Sequence, residues 1–326
     1  MDIIAQWKDK DIASVIDPTV TAFAPLLKAK KAFIKEVPFK TFQYGSLDRH
    51  QLDIYYPLAP PPSGSNSPIL FFVYGGGLNT GDRRISPKTF GLVYSCVAAY
   101  FARRGYLVII PDYRLVPNVT YPGPAEDVRD AIRWAVQNLD VQKGNGHPNS
   151  SETTTPGLLI PDLNNIFLMG HSAGALHIAT MMFEQNVLPW DDDIRQRVKG
   201  LILQGPPYDL SQMTTEWSTW AIHAQYWGNL EIMKANDPIN LYRRLPGGVV
   251  DKLPRLLMVQ GENEPDWLAY AGDRFHEVVR ERTGISLDRI IAKGHNHISV
   301  NWALNTGVGE EWAEETLAWL AKVQKP

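Results

Sequence analysis

Cysteine is nearly absent: Cys96 is the only one in 326 residues, so no disulfide can form within the chain, which suits a reducing compartment. Net charge is also scarce, at -3 overall, and offers no electrostatic case for nucleic acid or an anionic membrane. No long uninterrupted apolar run is visible, so no bilayer span is expected. The first ten residues, Met1 to Lys10, lack a basic region followed by an apolar one and do not read as a secretory signal. The expectation is therefore a cytoplasmic protein. The sequons at Asn118 and Asn149 would matter only in a secreted chain. Metal-ligand spacing is lacking too, because His295-Asn296-His297 has no third ligand at a recognisable interval. No metal and no cofactor is expected. There are no internal repeats, and the oligomeric state stays open.

What is present is an ordinary globular composition, 44% hydrophobic and 21% charged, in a chain long enough for a large core. Residues 1–36 read as one or two cap helices interrupted by Pro18 and Pro25. Thr41–Tyr44 and Gln51–Tyr56 alternate around a turn at Gly45-Ser46-Leu47-Asp48, a hairpin signal. Continuous apolar runs follow at 69–74, 107–110, 166–169, 201–203 and 256–259, with a further strand at 287–291. Helical stretches separate them at 90–104, 127–139, 267–282 and about 309–323. Residues 142–164, rich in Gly, Asn, Ser, Thr and Pro, read as a surface excursion, and 205–250 break the alternation as a Trp-rich insertion above the sheet. Strands alternating with helices predict one α/β domain with a mostly parallel sheet covered on both faces. In such sheets ligands sit beyond the carboxyl ends of the strands.

The chemistry-bearing residues fall at those ends. Asn165-Ile166-Phe167-Leu168-Met169 runs into Gly170-His171-Ser172-Ala173-Gly174, and an Ala-rich apolar helix follows. This strand, G-x-S-x-G and helix order lifts a serine hydroxyl clear of the sheet and sets it at a helix N-terminus. A serine needs a base to become a nucleophile, and the base needs a carboxylate to orient it. Downstream, Gln260-Gly261-Glu262-Asn263-Glu264-Pro265-Asp266 supplies carboxylates and Lys293-Gly294-His295-Asn296-His297 supplies imidazoles, each after a strand. His297 is preferred to His295 because it directly precedes an apolar helix start. The remaining histidines read as structural, and His171 as a support for the turn. Upstream, Tyr74-Gly75-Gly76-Gly77 ends a buried strand with N–H groups that no side chain shields, as an oxyanion site requires.

These stretches, with Asp112-Tyr113-Arg114-Leu115, Pro117, Pro122 and Glu126-Asp127, resemble the α/β-hydrolase superfamily over about residues 40–322. Within it the carboxylesterase/hormone-sensitive-lipase group and the kynurenine-formamidase-like esterases are the most similar branches. The resemblance implies Ser172 as nucleophile, His297 as base, and the N–H groups of Gly76, Gly77 and Ala173 as oxyanion hole. It aligns the acid on Glu264, with Asp266 a second choice. Tyr74 replaces a histidine common in the lipase branch and is taken as substrate lining, while Trp217, Trp220 and Trp227 of the insertion read either as a packed lid or as an aromatic wall for a bulky apolar substrate. The expected activity is cleavage of a carboxylic ester, lactone or activated amide through an acyl-enzyme. Two alternatives stand beside it. One is acyl transfer or cyclisation of a biosynthetic intermediate by the same triad, and the other is a ligand receptor on the hydrolase fold, which retention of all three residues argues against.

Overall fold

The computed structural model describes residues 1, 4, 6–61, 66–85, 88–139 and 160–324. Most of the expected excursion, with Asn149 and His147, lies outside these residues. The eight expected strands all form: β1 Phe39–Gln43, β2 Gln51–Tyr55, β3 Ser67–Val73, β4 Leu107–Pro111, β5 Pro161–His171, β6 Val198–Gln204, β7 Arg255–Asn263 and β8 Asp288–Asn296. They make one sheet in the order β1-β2-β4-β3-β5-β6-β7-β8. β2 runs antiparallel to both its neighbours, β1 and β4, and every other pairing is parallel. β3 and β4 are buried at every position, which is why they read as unbroken apolar runs.

In chain order the helices are α1 Ile12–Ala29, α2 Lys31–Lys35, α3 Ser95–Ala102, α4 Gly123–Asn138, α5 Ala173–Phe183, α6 Ile194–Arg197, α7 Trp220–Trp227, α8 Leu230–Ala235, α9 Pro238–Arg244, α10 Gly247–Val250, α11 Asp266–Thr283, α12 Ser299–Trp302 and α13 Glu311–Val323. One layer joins α1, α3, α12 and α13, and the other joins α4, α5, α9 and α11. All eleven residues of α5 are buried, so the elbow helix is apolar all round.

Pro18 and Pro25 do not interrupt α1, contrary to expectation. Its buried stripe is Val15, Thr19, Phe23, Ala24 and Leu27, while Pro25 is exposed and Pro18 half-buried. Carbonyls freed by the prolines can therefore reach water, and the Thr19 and Thr21 hydroxyls back-bond to Val15 and Asp17 at 2.7 and 2.9 Å. α1 is also long and apolar for a surface helix. These 18 residues have a mean hydropathy of 1.2, enough by length and composition to cross a bilayer, although here one face of α1 packs on the body.

The insertion divides in two. Leu210, Met213, Tyr226, Trp227 and Met233 form a separate apolar cluster with Leu78, Val116, Ala173 and Leu176, so it sits directly over the elbow. Ile239, Leu241, Tyr242 and Leu245 belong instead to the main core. The cap proper thus ends near α8, short of residue 250.

Candidate active site

β5 ends at His171, and Ser172 follows with φ 52° and ψ -122°, a strained backbone outside the helical and strand regions. The strain is held by close packing. A β-carbon on Gly174 would overlap the carbonyls of Val73 and Tyr74, and one on Gly75 would lie 2.8 Å from the Ser172 β-carbon. Without side chains there, the glycine turn and the elbow approach within contact. The Ser172 N–H donates to the Gln204 carbonyl at 2.8 Å, which ties the elbow to the end of β6.

Glu264 and His297 leave the ends of β7 and β8 and meet as a buried pair, with His297 Nδ1 2.7 Å from Glu264 Oε2 and both side chains almost fully enclosed. The other carboxylate oxygen accepts the Gly261 N–H at 3.3 Å. Asp266 goes elsewhere: it sits exposed at the start of α11 and pairs with Lys10 at 2.8 Å. His295 is also occupied, its Nδ1 3.0 Å from Ser299 Oγ and its Nε2 2.7 Å from the Gly309 carbonyl.

Two further residues join these parts: Gly205, which the sequence reading passed over, and His171, which it took as support for the turn. Gly205, just beyond β6, has φ +52°, and a β-carbon on it would meet Glu264 Oε1 at 2.9 Å and His297 Nδ1 at 3.3 Å. Its only sequence signal was its place at the end of a buried strand. His171, treated as turn support, donates from Nε2 to the His297 carbonyl at 2.8 Å, with ring centroids 4.8 Å apart. Burial, and then the neighbouring His297, push its imidazole down to about 3, so it is neutral at ordinary pH. The elbow, His297 and Glu264 are thereby held as one packed unit.

The glycine turn is anchored from below. Tyr74 is fully buried; its hydroxyl donates to Asp112 Oδ1 at 2.6 Å and accepts from Arg49 at 2.8 Å, and its ring stacks between Tyr94 and Tyr113. Enclosed in this way, Tyr74 does not line a ligand space, a correction to its expected role. Asp112 also pairs with Arg83, and Arg114 with Asp127, so the Asp112–Arg114 stretch is scaffolding for the turn. Among the described residues, the N–H groups of Gly76, Gly77 and Ala173 donate to no protein acceptor.

The tryptophans differ from one another. Trp227 is 3% exposed and stacks on Tyr121 at 4.5 Å, so it is packed interior and not a partly wet wall. Trp217 and Trp220 are half-buried on the rim of the cap cluster, and Trp217 meets Trp267 edge-on at 5.4 Å. Cavities of about 400 Å³ at residues 114–126 and about 480 Å³ between Ile34 and Ser95 contain none of Ser172, Glu264 and His297.

A family described as the alpha/beta hydrolase fold matches residues 70–297, and the chain belongs to it. Over 189 residues the chain is 30% identical to the non-reducing polyketide synthase ausA of Aspergillus calidoustus, a match over 56% of this chain and 7% of the synthase. It is 22% identical over 281 residues to a probable isoprenylcysteine alpha-carbonyl methylesterase of Oryza sativa subsp. japonica, covering 82% of this chain and 60% of that protein. The chain thus spans less than two thirds of either relative. Esterase B of Lactobacillus rhamnosis, crystallised with a tributyrin phosphonate inhibitor, superposes with a TM-score of 0.67 over 96% of both chains at 17% identity, which shows the shared fold.

Proposed function

We propose that this chain is a serine hydrolase cleaving a carboxylic ester, lactone or activated amide through a Ser172 acyl-enzyme. The observation that carries the reading is the buried Glu264–His297 pair packed through Gly205 and His171 onto the strained Ser172 elbow. Ser172 Oγ attacks the carbonyl carbon while its proton passes to His297. Glu264 orients the imidazole and balances its positive charge. The oxyanion is received by the N–H groups of Gly76, Gly77 and Ala173, which need no reorganisation to accept it. Collapse expels the leaving group with the proton from His297, and water repeats the cycle to release the acid. The methylesterase relative and the esterase neighbour support the ester as substrate class.

The synthase likeness favours a second reading of the same site, in which another nucleophile replaces water and the acyl group of a biosynthetic intermediate is transferred or cyclised. A fluorophosphonate probe followed by peptide mass spectrometry tests the nucleophile: the adduct should sit on Ser172, and an active protein labelled elsewhere would overturn the proposal. Turnover of p-nitrophenyl esters with and without added alcohols then separates the readings, since transfer diverts product from free acid to new ester.

A further inference from the structure

A charge balance near zero for the whole chain hides a strongly one-sided flank. Residues 28–36 hold Lys28, Lys30, Lys31 and Lys35 against the single acid Glu36. Glu36 is taken by Arg103, and Asp17 pairs with Lys88 at 3.2 Å. Among the described residues, Lys30, Lys31 and Lys35 are exposed and have no ion-pair partner. Between these cations stand three exposed rings, Phe33 at 45%, Phe39 at 43% and Phe90 at 42%. Each lies under a cation: Arg103 over Phe33 at 3.5 Å, Arg84 over Phe39 at 5.1 Å and Lys28 over Phe90 at 5.4 Å. Isolated exposed apolar residues need no explanation, but three exposed rings beside unmatched lysines, two of the rings and Lys35 lining one cavity, do. That cavity, about 480 Å³, is walled by Ile34, Val37, Phe39, Tyr55 and Phe90, with Lys35, Arg84 and Asp82 among its polar residues.

We infer that this flank docks on an anionic lipid bilayer, with the lysines facing headgroups and the phenylalanines entering the interface. The chemistry fits that partner on both counts. Lysines near a negatively charged leaflet are each attracted within a Debye length of it, and exposed phenylalanine rings gain by burial at the headgroup/acyl boundary. A soluble polyanion would use the lysines and leave the rings idle. α1 adds a connection to the site. Its last turn brings Lys28 over Phe90, and its middle carries Thr19, which accepts from Asn296 Nδ2 at 3.1 Å, next to His297. A protein held by this flank would therefore keep the base-bearing loop one helix away from the membrane surface.

Sedimentation with vesicles tests the inference. Phosphatidylcholine vesicles with roughly 30% phosphatidylserine should carry the full chain down at low salt, pure phosphatidylcholine should not, and binding should fall as salt rises. The triple variant Lys30→Glu, Lys31→Glu, Lys35→Glu should bind at least about 30-fold more weakly. Phe33→Ser should lose about fivefold without changing the salt dependence. None of these residues belongs to the proposed site, so unaltered turnover of a soluble acetate ester and an unaltered melting temperature show that the variants are folded. Failure of the wild type to bind anionic vesicles at low salt, or undiminished binding by the triple variant, overturns the inference. So does retention on heparin without vesicle binding, which would assign the lysines to a soluble polyanion.

Discussion

The sheet side of the site is held by polar bonds and backbone contacts, whereas the cap above it is held by ring against ring. Below Ser172, a β-carbon at Gly205 would press on both members of the Glu264–His297 pair, and His171 fixes the His297 carbonyl at 2.8 Å. Above it, Tyr121 stacks on Trp227 at 4.5 Å and Tyr226 meets both edge-on at 4.8 and 6.0 Å, and Leu176 and Ala173 join them from the elbow helix. Hydrogen bonds and backbone contacts have one geometry, so the lower region tolerates almost no change. Apolar packing has many near-equivalent solutions, so the upper region can be refitted to another substrate. Reaction and selectivity are thus assigned to parts of the molecule with different tolerances.

Breaking the lower region should give the larger effects. Ser172→Ala should abolish probe labelling and lower kcat by roughly ten-thousand-fold or more with an unchanged melting temperature, checked by burst kinetics and calorimetry. Glu264→Gln should cost about a thousandfold in kcat, because the imidazole loses the charge that orients it, while Asp266→Asn should stay within about threefold. The reverse ranking would move the acid to Asp266. Gly205→Ala comes next, at about 100-fold in kcat with KM nearly constant, since its methyl displaces the pair and not the substrate.

These differences also mark what the sequence could and could not tell. The parallel strands were legible mostly as apolar runs and the β1–β2 hairpin as alternation around a turn, while Ser172, His297 and the carboxylates Glu264 and Asp266 were candidates from their places at strand ends, Glu264 being preferred on the family resemblance. Gly205 was not legible in its present role, and His171, read as support for the turn, did not show its tie to the His297 loop, because each acts through a contact across more than fifty residues of chain. Pro18 and Pro25 misled in the other direction: a proline on the exposed side of a packed helix leaves its freed carbonyls to solvent. Tyr74 and Trp227 misled because an aromatic beside a site looks alike in sequence whether it faces ligand or core.

An acid challenge sharpens the comparison by loading buried imidazoles of both regions. Burial pushes His171, His177 and His295 down to about 3, 3 and 4, with His297 also lowering His171, against 6.5 in the unfolded chain. The unfolded state therefore binds more protons below pH 6.5, and stability that is complete above that value is lost as pH falls toward 4. At pH 5 each histidine should cost about 2 kcal/mol. Denaturant titrations at pH 7 and pH 5 measure the loss. His177→Phe, which keeps a ring against Tyr113 and Tyr226, should remove about one histidine's share, and an unchanged pH difference would refute the assignment.

The smallest effect on activity is expected at the rim of the cap, where the tryptophans can be told apart. Trp217 and Trp220 are half-buried and belong to the edge of the apolar cluster, so each can lend part of a ring to a ligand entering over Ala173. Trp227 is enclosed and stacked on Tyr121. Truncating a half-exposed ring removes a few tens of square ångströms from contact with a bulky acyl or alkyl group, about 1 kcal/mol, or roughly fivefold in KM. Trp217→Ala and Trp220→Ala should therefore raise KM for long-chain p-nitrophenyl esters by about that factor, with acetate esters and stability little changed. Trp227→Ala should instead open a cavity and cost about 3 kcal/mol of stability, with substrates of every length affected alike. If Trp217→Ala weakens acetate and long-chain esters equally, the rim does not touch the substrate, and the cap serves only to cover the elbow.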